Sequence, residues 1–295
     1  MIFVTGGTGF IGKHVIKKLT ENREEIIVLV RNIKDYTVQG NEYVVEGTLD
    51  NPGSWKGKLK EFFIDTCIHL AWEGIPDYSY EMSKKNLMHG LTVLDVCNEL
   101  GIRNLVMTGS CWEYDVPHGS VSVNDPVSDA NAFKASKNAL RMMAHTFCQE
   151  HKIHFNWLRL FYVYGPGQRE GSLIPHIIKN FREDKQPELN GAYNRNDFVY
   201  VSDVADAIAK VAGNHTYPEI LNVGSGCSTQ VLSIVKMAAE VMGKTIDEKK
   251  YLKSNDSIEF YADKQEMNRD FSWEAKTSIE KGIKLMIDAG RLNYD

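Results

Sequence analysis

Three of the four glycines in the stretch VTGGTGFIGKHV, namely Gly6, Gly9 and Gly12, mark the passage from an apolar run at the N-terminus into the amphipathic segment Ile11 to Leu19. A passage from strand to helix this short demands glycine. The chain must turn tightly, the helix must pack against the strand it has just left, and the backbone must allow close approach of a ligand. The amide N–H groups at the helix N-terminus have no partner within the helix, so a pyrophosphate is the expected guest. A plain strand–helix turn is the alternative. A glycine triplet set between a first strand and an amphipathic helix points instead to a dinucleotide.

Short β-rich runs then alternate with helical patterns. The predicted strands are MIFV, EIIVLV, EYVV, DTCIHLA and NLVMTGS, followed by HFNWLRLFYVY as one run; Leu87, Leu91 and Leu94 share one helical face. Such alternation predicts an α/β fold of Rossmann type, a doubly wound parallel sheet with helices on both sides. Beyond YGPGQ the regularity loosens, with SDVADAIAKVAG and STQVLSIVKMAAEVMGK read as helices and EILNVGSG as a strand between them. The expected division is 1–165 for the dinucleotide domain, with 196–224 returning to it, and 166–195 plus 225–295 for a smaller lobe. A chain of 295 residues suits that plan.

Composition excludes several classes. A net charge of −5 gives no basic surplus for nucleic acid or an anionic membrane surface, and no apolar stretch is long enough to cross a bilayer. Five scattered cysteines without a CxxC pair (Cys67, Cys97, Cys111, Cys148, Cys227), and an opening strand in place of a leader, imply a cytoplasmic protein with reduced thiols. No metal site is expected, because His151 and His154 in HKIH do not share a helical face and have no third ligand nearby. The TGSCW segment lacks the second glycine of a serine-hydrolase elbow.

The second strand ends VLVRN, with Val30 where an acid would accept from the ribose 2′-hydroxyl of NAD, and Arg31 beside it, suited to a 2′-phosphate. NADP(H) is therefore favoured, with NAD(H) as the alternative.

Several motifs in order now make the chain resemble the extended short-chain dehydrogenase/reductase family, in its nucleotide-sugar-modifying branch of NAD-dependent epimerase/dehydratase type. They are TGGTGFIG, HLAW at His69 to Trp72, Asn86 and Gly90 in the next helix, TGSCWEY, LRLFYVYGP, NDFVYVSDVADAI, LNVGSG and FSWEAKTSIEKGI, and they span nearly the whole chain. The resemblance implies hydride transfer at a sugar carbon, with Ser110 on the reacting oxygen and Lys137 on the nicotinamide ribose. It also implies cofactor contacts at Gly6, Gly9, Phe10, Ile11, Gly12, Arg31, Asn32, Thr48, Leu49, Leu70 and Ala71. The smaller lobe would bind the substrate, and relatives of this kind form homodimers through the helices here spanning Tyr80 to Leu100 and Phe133 to Glu150.

The family's proton-transferring tyrosine falls at Phe133, in DANAFKASKNALRMM. Phenylalanine keeps the shape and lacks the titratable group, and loss of a general acid costs about two to four orders of magnitude in rate. Three readings stay open: a tyrosine replaced to trap a ligand, an enzyme using another donor (Cys111, Glu113, Tyr114, Asp125 or Tyr162), or a binder without catalysis. Lys137 argues against a plain core stripe, since a buried amine needs a partner.

On the substrate side the resemblance points to Trp112 and Tyr162 for the sugar or base, and to Arg195, Asn196 and Lys253 for a diphosphate. The family's usual Arg-Asp pair reads RND here, with Arg195 displaced by one position. The expected activity is NADPH-dependent reduction of a nucleotide-linked keto sugar of the 4-keto-6-deoxy type. The alternatives are an epimerase or dehydratase that recycles its cofactor, and a non-catalytic dinucleotide-binding protein.

Overall fold

A computed structural model describes every residue except 39, 116–117, 190, 215–218, 252–257 and 292–295. Strand β1 (Ile2–Thr5) leads into α1 (Phe10–Glu21), then β2 (Ile26–Val30), β3 (Glu42–Glu46), the short α2 (Lys56–Leu59), β4 (Thr66–His69) and the long α3 (Tyr80–Glu99). β5 (Asn104–Ser110), β6 (Gly119–Val121), a second long helix α4 (Ala132–His151) and β7 (His154–Leu160) follow. The rest runs β8 (Tyr162–Tyr164), α5 (Leu173–Arg182), β9 (Arg195–Tyr200), α6 (Val201–Ala212), β10 (Ile220–Val223), β11 (Ser228–Gln230), α7 (Val231–Met242), β12 (Glu259–Ala262), α8 (Gln265–Phe271) and α9 (Ile279–Arg291).

Seven strands form one sheet in the order β10-β7-β5-β4-β1-β2-β3, and every neighbouring pair in it is parallel. Its strands are apolar at nearly every position because both faces are covered. On one face Val4, Val28, Ile68, Val106 and Leu158 pack with α1 and α6 through Val15, Ile16, Val204 and Ile208. On the other, Phe3, Ile27, Cys67, Leu105 and Trp157 pack with α3 and α4 through Val93, Leu94, Leu140 and Ala144. The two long helices meet closely at Gly90, where a Cβ would stand 2.4 Å from a methyl of Leu140.

A smaller sheet runs β11-β9-β12-β6, and β8 pairs in parallel with the Phe198–Tyr200 end of β9. Two expectations change here. HFNWLRLFYVY is not one strand: β7 ends at Leu160 in the large sheet, and β8 begins at Tyr162 against β9. The segment read as the start of a helix at Ser228 is instead β11, antiparallel to β9, with the helix beginning at Val231. A third core of α5, α7 and α9 residues, including Ile177, Phe181, Ile234 and Ile283, backs β9 and its neighbours through Phe198 and Tyr200.

Candidate active site

All the large-sheet strands end on the same side, and a cleft of about 530 Å³ opens over the C-terminal ends of β1, β2 and β4, the usual place for a ligand on a parallel sheet. Of the residues expected to contact the cofactor, Gly6, Gly9, Arg31, Thr48, Leu49, Leu70 and Ala71 line this cleft. Gly6 has φ +74°, and a Cβ there would lie 2.6 Å from the Ala71 nitrogen. Gly12 lets α1 sit on the turn, since its Cβ would fall 2.1 Å from the Gly6 carbonyl oxygen. Gly9 is the N-cap of α1 and offers no side chain to the helix end. The first-turn N–H groups, those of Phe10 and Ile11 among them, thus lack a side-chain acceptor, and this end of the cleft fits a pyrophosphate. Asn32 is occupied otherwise: its side chain accepts from the Lys34 N–H at 3.0 Å and donates to Asp35 at 2.8 Å.

At the Arg31 end of the cleft, charged side chains link in a chain. The Arg31 guanidinium is largely exposed and lies 3.6 Å from Glu73. Lys85 reaches Glu73 at 2.5 Å and Asp50 at 3.6 Å, and His89 contacts Asp50 at 2.9 Å. Asp50, Glu73 and His89 stand close enough to share a metal ion, but the Lys85 ammonium already supplies their positive charge. Asn86 fixes the loop that carries Glu73, accepting from its N–H at 2.8 Å and donating to its carbonyl at 3.0 Å.

Trp72, at the far end of the cleft lining, packs against α4 behind it. Lys137 and Phe133, four residues apart, share one helical face. Lys137 is only 5% exposed. Its ammonium donates to the Thr108 carbonyl at 2.8 Å and lies 3.7 Å from the centre of the Trp72 ring. Burial pulls its pKa down to about 7, against an opposing pull from Glu113. An ammonium has three N–H bonds, and among the described residues one carbonyl takes one of them. The remaining donors fit a ribose diol. Ser110 stands two residues beyond Thr108 on β5, so both lie on one face of the sheet. Its hydroxyl accepts from the Trp112 N–H at 3.2 Å, and its own N–H donates to Glu113 at 2.7 Å. Below this sits a buried ion pair, Glu113 with Arg159 at 2.9 Å, both essentially inaccessible. The Trp157 indole also donates to Glu113.

Phe133 is boxed by rings: Trp72 at 5.6 Å, Tyr78 at 5.3 Å and Trp112 at 6.4 Å between centroids, all nearly edge-on. Trp112 extends the wall by donating its indole N–H to the Tyr162 hydroxyl at 3.3 Å. Trp72 and Tyr78 were not foreseen as site residues. Both follow β4 in a loop whose folding over α4 has no signature in local spacing.

The diphosphate contacts are placed less simply. Arg195, on β9, is already held by Glu259 and Ser228, each at 3.0 Å. Asn196 is nearly buried within β9. Lys253 lies outside the described residues. Beside them Asp197, fully buried, accepts from the N–H groups of Ser225, Gly226 and Ala262 at 2.7 to 3.0 Å and ties β9 to β12; burial pushes its carboxyl up.

With this geometry in place, the family is plain. The profile described as the NAD dependent epimerase/dehydratase family matches residues 2–224, and the chain belongs to that family. Among solved structures it superposes on a UDP-glucose 4-epimerase of Thermotoga maritima bound to UDP-glucose, with TM-score 0.86 and 21% identity over 100% of this chain and 99% of the other. A dTDP-glucose 4,6-dehydratase of Bacillus anthracis in complex with NAD gives 0.84 at 23% identity, covering 99% and 96%. Among sequences, a CDP-abequose synthase of Salmonella muenchen is 25% identical, covering 97% of this chain and 96% of its own length. The expected fold holds, and the Bacillus anthracis dehydratase among these neighbours was solved with NAD.

Proposed function

We propose that the protein reduces the carbonyl of a nucleotide-linked keto sugar, of the 4-keto-6-deoxy type, using a nicotinamide dinucleotide bound in the cleft. The observation that carries this reading is Phe133 beside an otherwise complete Ser110 and Lys137. Epimerisation or dehydration within one turnover needs a group that takes a proton from the sugar and later returns it. Reduction needs an acid only. A site without the phenol at position 133 is therefore less impaired for reduction than for either rival. The synthase of a CDP-linked sugar among the relatives is in keeping with it.

The bound dinucleotide supplies the hydride. Ser110 holds the carbonyl oxygen, the buried Lys137 amine orients the nicotinamide ribose, and Trp112 with Tyr162 forms the wall on which the sugar rests. We assign the substrate lobe to residues 166–195 and 225–295, which share the smaller sheet with β6, β8 and β9. Of the expected diphosphate contacts, Arg195 must exchange Glu259 for phosphate, while Asn196 keeps its place in β9.

The NADP(H) preference rests on Arg31 and on Val30 in the acid's position. The pairing of Arg31 with Glu73 and the NAD-bound neighbours favour NAD(H) as the second reading. The family's epimerases and dehydratases support a second activity, with tightly held cofactor and no net consumption.

For the assembly, we assign a homodimer to the packed helices α3 and α4, which expose Met88, Met142 and Met143. The five free cysteines fit a cytoplasmic setting, and no helix among the described residues is long and apolar enough to cross a membrane.

The test is cofactor absorbance at 340 nm with a panel of 4-keto sugar nucleotides, run with NADH and with NADPH. Oxidation by the native protein or by Phe133→Tyr supports reduction. No oxidation by either rejects it.

A further inference from the structure

If the site reduces a carbonyl, a proton must still reach the oxygen, and the surroundings of Phe133 narrow its source. Cys111 is buried, and burial pushes its thiol well above the ordinary range. Glu113 is fully buried, with its carboxylate taken up by Ser110 N–H, the Trp157 indole and Arg159. The Tyr114 hydroxyl, also buried, donates to Asn222 at 2.6 Å. Asp125 is engaged with the Ser122 N–H at 3.0 Å in its own turn. Tyr162 packs against Phe198 and Phe260 and stands behind Trp112, one ring removed from Phe133.

Tyr78 differs from all of these. It is the tyrosine whose ring packs on Phe133, 5.3 Å between centroids at 72°, and it touches Trp112 at 5.6 Å. Among the described residues its hydroxyl has no hydrogen-bond partner, and the side chain is 36% exposed. The backbone on either side is fixed. Asp77 accepts from the Ser79 N–H at 2.9 Å and its own N–H donates to the Gly74 carbonyl at 2.7 Å, while Ser79 caps α3. A phenol held on a hydrogen-bonded turn and packed against the ring that lacks one can stand in for it.

We propose that Tyr78 is the proton donor that replaces the missing phenol at position 133; this rests on the reductase reading above. When hydride reaches the carbonyl carbon, its π bond opens onto oxygen. The Tyr78 O–H bond then breaks as a new O–H bond forms on the sugar oxyanion. The phenolate left behind regains a proton from water through its exposed side. Carbonyl, hydride and proton together give the alcohol, and the hydride comes from the reduced dinucleotide.

The experiment compares the native protein, Tyr78→Phe, Phe133→Tyr and the double variant in the 340 nm assay. NADH affinity is measured by fluorescence in each. Tyr78→Phe should lower kcat by about 10²–10⁴ with NADH affinity unchanged, and the double variant should recover most of the loss by restoring a phenol at position 133. A second arm needs no turnover. In protein labelled at tyrosine Cζ, the resonance absent from Tyr78→Phe should shift on addition of UDP-glucose as probe. The proposal is overturned if Tyr78→Phe keeps kcat within threefold of native, or if the native protein is inert while Phe133→Tyr alone gains activity. If no form turns over any keto sugar, the reductase reading falls by itself. The labelled resonance then decides separately whether Tyr78 faces the sugar, and a resonance that does not move refutes its placement.

Discussion

Replacing Lys137 with methionine should make the cofactor-free protein more stable at neutral pH. The amine sits at 5% exposure with no carboxylate in contact among the described residues, and its pKa falls from the ordinary 10.5 to about 7. Each decade between those values corresponds to about 1.4 kcal/mol, so keeping the buried group charged below pH 7 costs about 5 kcal/mol. Methionine, of similar length and uncharged, removes that cost. The pH dependence fixes the sign. Between pH 7 and 10.5 the unfolded lysine holds a proton that the folded one has released, so native stability climbs through this window. The advantage of Lys137→Met is therefore full below pH 7, shrinks as pH rises and vanishes near 10.5. Urea melts at unit steps from pH 6 to 10 measure it, alongside NADH titrations in which the same variant should bind about 10- to 100-fold more weakly for want of charge-assisted bonds to the ribose. A variant less stable than native at pH 7, or a difference that does not move with pH, would refute the reasoning.

Other substitutions read separate parts of the cleft. Gly6→Ala forces a Cβ within 2.6 Å of the Ala71 backbone at φ +74°; NADH fluorescence should show dinucleotide binding lost, with circular dichroism checking that the sheet persists. Arg31→Ala should weaken NADPH about 10-fold or more while leaving NADH nearly unchanged, whereas Glu73→Gln, by releasing Arg31, should improve NADPH up to about fivefold; competitive titration with both cofactors reads the pair. Glu113→Gln leaves the inaccessible Arg159 uncompensated and should cost about 3–5 kcal/mol in urea melts.

What the sequence made legible was the part written in local spacing. The glycine turn, the continuously apolar strands and the helical stripe holding Phe133 and Lys137 each report a neighbour a few residues away, and each lies where expected. The split of HFNWLRLFYVY was hidden because both halves are apolar, and only their different partner strands, β5 for one and β9 for the other, tell them apart. Arg195 read as a phosphate ligand only through the family resemblance, and the β9–β12 register sets Glu259 directly beside it. Arg31 likewise meets Glu73 across the mouth of the cleft, a pairing that spans two separate strand ends. Tyr78 was invisible for the same reason: its relation to Phe133 exists only once the loop after β4 folds over α4.

A crystal structure with NADH and a UDP-linked sugar tests the central claim most directly. The account predicts the pyrophosphate at the N-terminus of α1, the Lys137 amine within hydrogen-bond distance of the nicotinamide ribose, and Ser110 and Tyr78 both facing the sugar's reactive oxygen. A dinucleotide bound elsewhere, or a Lys137 amine still turned only to Thr108 and Trp72 with the ribose out of reach, would contradict it.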